Sequence, residues 1–144
     1  MNARGLIGAL LLFSAACSST GGEGPRDPSP KNELPFGYLD FPTNGAMVDR
    51  EMAARGWALD DGTITAVRIY LDNHFIASTT LTEMRPDVSK AYASYAHGGD
   101  KHGWAILVPL GGDAKVGKHQ ILVQAVDDQG ATRDIGISDV ELTR

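Results

Sequence analysis

The segment from Arg85 to Trp104, "RPDVSKAYASYAHGGDKHGW", gathers side chains that could do chemistry: His97, Asp100 and His102 fall within six positions. Histidine with carboxylate is a zinc-binding combination, but such a site needs three or four ligands oriented by supporting hydrogen bonds. His97 and His102 stand five apart, too far for neighbours on one helical face, and the glycines between them add no ligand. A solvated turn is the expectation for "HGGDKH", and no metal is assigned. "LDDG" at 59–62 and "VDDQG" at 126–130 each pair two carboxylates. A calcium loop draws six or more oxygens from a patterned segment, whereas aspartate-rich turns held by side chain to backbone bonds account for both stretches.

Catalytic signatures are missing as well. The chain has no G-x-S-x-G, S-x-x-K, CxxC, HExxH or phosphate-cradling glycine loop. No catalytic residue and no cofactor are therefore assigned. A secreted hydrolase stays as an alternative, since triads are recognised by geometry rather than order; it would need a histidine and a nucleophile in contact. Aromatic side chains offer another chemistry, because an exposed Trp or Tyr stacks on a sugar or anchors a protein partner. Trp57 lies between the small residues Gly56 and Ala58, so Trp57, Tyr92, Tyr95, His97 and His102 are the candidate contacts for a glycan or protein partner. Trp104 alternates in phase with Ile106 and Val108 and is assigned to the core. Arg85, Asp87 and Asp60 are assigned structural roles, with Arg85 expected to pair with Asp60.

These residues must be positioned by strands. "TAVRIYLD" alternates Val67, Ile69 and Leu71 against Ala66, Arg68 and Tyr70, and "HQILVQAVD" carries apolar groups on both faces, as a central strand does. "FIASTTL" places Phe75, Ala77, Thr79 and Leu81 together. "FGYLDF", "MAARGWAL", "WAILVPL" and "DIGISDVEL" complete the set, the last with a parity shift near Ser138 that predicts a bulge. About seven short strands with turns every 8–12 residues predict an all-β protein, an immunoglobulin-like antiparallel β-sandwich. One short helix is predicted over 86–94. Pro86 suits a first helical turn, Asp87 complements its positive end, and Val88, Ala91, Tyr92 and Tyr95 recur at helical spacing.

The N-terminus has a different character. "MNARGLIGALLLFSAAC" has one early positive charge, an apolar run and small residues before Cys17, the layout of an export signal. The run falls short of the ~20 residues a membrane-spanning helix requires. Cys17, the sole cysteine, resembles the lipidated cysteine of a bacterial lipobox, although Ser14 stands where leucine is usual. Cleavage by the ordinary signal peptidase after Ala16 is the alternative. The expected division is a signal peptide over 1–16, a Ser/Gly/Pro-rich tether over 17–33 and a folded domain over 34–144. A chain lipidated at Cys17 would be held at the cell envelope. Ser18 resembles the outer-membrane pattern of a diderm host. Of the 18 acidic and 13 Lys or Arg residues, all but three of each fall from Leu34 onward, which leaves the domain at net −5. Without a basic patch, nucleic acid is excluded as a partner.

The motifs "RGWALDDGTITAVRIYLDN", "RPDVSKAY" and "GKHQILVQAVDDQG", in this order, resemble immunoglobulin-like modules appended to bacterial cell-surface and secreted proteins. Asn73 stands where that pattern has glycine, and Arg55 where a small apolar residue is commoner. Such modules are mostly spacers or binding accessories. The resemblance thus implies a non-catalytic structural, adhesive or accessory binding part of the cell envelope, with a protein or glycan partner, and carries over no catalytic residue. Carbohydrate binding through exposed aromatics is the other-class alternative.

Overall fold

The computed structural model describes residues 32–144. The expectations for the signal segment, Cys17 and the tether up to residue 31 lie outside them. Eight strands and one helix are present among the described residues: β1 (Phe36–Phe41), β2 (Ala46–Val48), β3 (Glu51–Leu59), β4 (Ile64–Leu71), β5 (His74–Thr79), α1 (Pro86–Ala91), β6 (Gly103–Pro109), β7 (Gly117–Asp127) and β8 (Thr132–Leu142). They form a three-stranded sheet, β1-β3-β6, and a five-stranded sheet, β2-β8-β7-β4-β5. Two sheets face to face around one core make an immunoglobulin-like sandwich, as the strand spacing predicts. Among the described residues no helix is long and apolar enough to cross a membrane.

The eighth strand comes from the first segment changing sheets. β1 pairs antiparallel with β3, and after the cis Phe41–Pro42 bond and the turn at Asn44-Gly45 the chain pairs parallel with β8 as β2. β7 is the central strand its two-sided apolar pattern predicts, flanked by β8 and β4. Its inward residues Ile121, Val123 and Ala125 are fully buried against Val67 and Ile69 of β4 and, from the opposite sheet, Met52, Trp104 and Val108. A core of this kind stabilises the domain through the apolar area it removes from water, roughly 25 cal/mol per Å².

Two bulges redirect side chains. The parity shift in β8 falls where Val123 and Gln124 face Gly136 and Asp134, so Ile135 and Ser138 both point inward. A second shift, between Ile69 and Tyr70, skips Ile76 and corrects the expected face of β5: Ala77 pairs with Ile69, but Phe75 pairs with Tyr70 and stands 58% exposed. An inserted residue reverses the side-chain alternation beyond it.

The helix is present but ends at Ala91 rather than near 94. Pro86 opens it and Asp87 lies in its first turn, as expected. Of the apolar set, only Val88 is buried. The Tyr92 and Tyr95 rings instead pack on Phe36, with centroids at 5.4 and 4.9 Å, and that packing takes the place of another helical turn. The expected Arg85–Asp60 pair is also corrected. Arg85 donates to Asp40 of β1 at 2.7 Å and, through two nitrogens, to Asp87 at 2.8 and 2.9 Å. Its stem lies over Gly103, on the outer face of the three-stranded sheet, where an added Cβ would come within 2.8 Å of Arg85 Cγ. Asp60 is buried after the end of β3. Arg85 still fastens the segment before α1 to the sheet, through a different carboxylate.

Candidate functional site

Three places carry the side chains that could meet a ligand. The first is the aromatic group over one end of the three-stranded sheet. Trp57 faces outward from β3, half-buried, with Tyr92 tilted 36° across it at 5.2 Å and Phe36 edge-on at 6.1 Å. These rings pack on one another, so one face of Trp57 is occupied by Tyr92 and is no open stacking platform. Tyr92 remains 39% exposed, and the Tyr95 hydroxyl donates to Glu33 at 2.7 Å. Trp104, by contrast, is 1% exposed in the core, as its alternation predicts.

The second is a cleft of about 280 Å³ between the β3–β4 turn and the loop leading into β6. Tyr95, His97 and His102 line it together with Asp60, so the fold brings three of the sequence candidates to one place. His97 is exposed; His102 and Asp60 are buried. Asp60 Oδ2 accepts from the Gly62 amide at 2.8 Å, which closes the turn as its composition predicts. Asp127 closes the neighbouring turn, accepting from the Gln129 and Ala131 amides and from Asn32. Burial raises the Asp60 pKa, and Asp61, Asp127 and Asp128 add to the rise against the lowering effect of the Gly62 amide. No group of three metal-ligating side chains occurs among the described residues.

The third is the outer face of the five-stranded sheet, which the sequence patterns did not single out. Phe75, Tyr70, Leu122 and Ile137 are successive cross-strand partners on β5, β4, β7 and β8. They form one apolar row spanning about 14 Å at the usual strand spacing. Its ends are open, Phe75 at 58% and Ile137 at 61% exposure. Tyr70 and Phe75 meet edge to face at 5.8 Å. Beside the row runs a polar one, Ser78, Arg68, Gln124 and Asp134, in which Gln124 bonds Asp134 at 3.2 Å. On the other side Gln120 bonds Asp139 at 3.4 Å. The missing signal was the bulge at Ile76, because simple alternation assigns Phe75 to the core.

The strand pairing defines the class of the folded part, an immunoglobulin-like β-sandwich. Its fold resembles fibronectin(III)-like modules of Clostridium thermocellum CbhA, at 15% identity over 74% of this chain and 94% of that one, with a TM-score of 0.49. It also resembles CopC from Methylosinus trichosporium OB3b, at 10% identity over 74% of this chain and 93% of that one, with a TM-score of 0.39. No protein-family profile matches the sequence, and no curated protein does.

Proposed function

We propose that the chain is a non-catalytic, lipid-anchored accessory module of the bacterial cell envelope whose folded part docks a protein through the outer face of its five-stranded sheet. The signal-like N-terminus and Cys17 support the anchor, and Ser18 favours the outer membrane in a diderm host. The observation that carries the docking is the open row Phe75–Tyr70–Leu122–Ile137. An exposed apolar patch rimmed by polar residues marks an interaction surface, and tyrosine is among the residues that concentrate binding energy at protein interfaces. Charges of both signs flank the row, Arg68 and Asp134 on one side and Asp139 on the other. The partner that fits is therefore a folded protein with an apolar ridge and mixed charges beside it.

The glycan alternative has weaker support on this face. Sugar stacking uses flat ring faces, yet the Tyr70 and Phe75 planes stand 73° apart and half of the row is aliphatic.

Native electrophoresis of detergent-solubilised envelopes tests the proposal. The full chain is expected to migrate in a complex, and Tyr70→Ser with Ile137→Asp to release it while it stays in the membrane fraction. Unchanged migration of that double variant would rule out the sheet face as the docking surface.

A further inference from the structure

The helix and the loop after it cover only part of the outer face of the three-stranded sheet. Tyr92 packs across Trp57, and the stem of Arg85 lies over Gly103. Toward the start of β3 the same face is open. Glu51, Ala53 and Arg55 of β3 are exposed in alternation with buried Met52 and Ala54, and Ala105, Leu107 and Pro109 of β6 are exposed beside them. Register sets the rows: Arg55 lies between Phe41 and Ala105, Ala53 is paired with Leu107, and Glu51 with Pro109. The small side chains of Ala53 and Ala105 leave an open depression of about 530 Å³ bordered by Phe41, Arg55 and Leu107. Leu107 stands at its edge, 67% exposed.

Charge selects the occupant. Glu51 and Arg55 are the only charged residues of β3 and β6, and neither belongs to an ion pair among the described residues. They stand two residues before and two after Ala53 on one face, each about 7 Å from it along the strand. A two-fold axis passing by Ala53, across the strand and midway between two facing copies, lays Glu51 of each copy against the partner's Arg55 and Ala53 against the partner's Ala53. An isologous contact requires a patch that is its own complement. Opposite charges at equal distances from an uncharged centre meet that requirement, and so does a projecting Leu107 beside a depression floored by alanines. Ion pairs at such a rim fix register more than they supply affinity, which the apolar centre provides.

We propose that this open half of the three-stranded sheet docks a second copy of the chain, face to face and two-fold symmetric, with Glu51 of each copy paired to the partner's Arg55 and Leu107 of each filling the depression of the other. Facing sheets pack about 10 Å apart, a distance that the Glu and Arg side chains bridge together. The five-stranded sheets then point away from each other, so the contact leaves both Phe75–Tyr70–Leu122–Ile137 rows open and does not depend on what they bind.

Size-exclusion chromatography with light scattering on the natively expressed full chain in mild detergent, which separates protein mass from detergent mass, provides the test. Two chains per particle are expected. Arg55→Glu and Glu51→Arg should each weaken association by about tenfold or more, because like charges then meet at both ends of the contact. Glu51→Arg combined with Arg55→Glu restores the opposite pairs and should restore two chains per particle. Thermal scans of all three variants confirm that each is folded, since these side chains lie in water. Location is read by cross-linking with bismaleimidoethane: Ala53→Cys, on the axis, should give a covalent dimer beyond that of the unsubstituted chain, and Asp134→Cys, on the opposite sheet, should not. One chain per particle at every concentration, a dimer indifferent to charge reversal, folded single and combined variants that are equally monomeric, or cross-linking at Asp134→Cys as strong as at Ala53→Cys would each overturn the proposal.

Discussion

The Arg85 guanidinium lies 2.7 Å from the Asp40 carboxylate, with both side chains partly shielded, and so joins the segment before α1 to strand β1. Asp87 grips the same guanidinium through both oxygens, and the two carboxylates together raise the Arg85 pKa. A denaturant double-mutant cycle on Arg85→Ala and Asp40→Ala should give a coupling of about 0.5–1 kcal/mol, near the top of the range for ion pairs partly open to solvent. The same cycle on Arg85 and Asp60 should give none. Coupling with Asp60 instead would mean that the segment before α1 sits elsewhere.

Gly56 and Trp104 form a second fixed relationship. A Cβ at Gly56 would stand 2.1 Å from the Tyr38 carbonyl oxygen and 2.7 Å from Trp104 Cζ2. Neither backbone nor a fully buried indole can give way cheaply, so Gly56→Ala should destabilise by at least the ~1–3 kcal/mol of ordinary overpacking. Urea unfolding followed by tryptophan fluorescence measures it, and a neutral effect would contradict this packing.

His119 sets a pH dependence. Its two ring nitrogens contact the Lys115 carbonyl and, at 2.6 Å, Asp72 Oδ2, and a histidine can donate to both only when protonated. The Lys115 carbonyl first, then Asp72, raises its pKa in the folded state. A raised folded value means stabilisation that is complete below the unfolded value of about 6.5 and lost as pH rises through the folded one. Tm should therefore fall from mildly acidic to mildly alkaline pH, and His119→Gln should flatten that slope. An equally steep slope in the variant would assign it to another group.

Variants of the exposed row should separate stability from binding. Ile137→Ser and Phe75→Ser alter side chains mostly in water, so each should change unfolding free energy by no more than about 0.5 kcal/mol. Thermal scans check this. A large loss would show that the row supports the fold and is not free for a partner.

Legibility of the sequence followed the strength of local patterns. The alternation of Val67 with Ile69 marked a half-buried strand, apolar groups on both faces of the Ile121–Val123 stretch marked a central one, and Trp104 went to the core by alternation. Pro86 and Asp87 marked the helix start, whereas its end depended on where the Tyr92 and Tyr95 rings found Phe36, a contact made across more than fifty residues. Pairing Arg85 with Asp60 failed because choosing among several carboxylates requires knowing which side of the sheet each faces. The outer row stayed hidden for a related reason: one inserted residue, Ile76, moved Phe75 from the inside to the outside. Likewise, His102 and Asp60 were singled out separately, but only the β3–β6 register brings them into one cleft.

The envelope anchor is tested most directly by the intact mass and detergent-phase partitioning of the natively expressed protein beside a Cys17→Ala variant. A mature N-terminus at Cys17 carrying added acyl mass and partitioning into detergent is expected, with both properties lost in the variant. An unmodified chain that stays in the aqueous phase would contradict the envelope anchor and make the sandwich a freely secreted module.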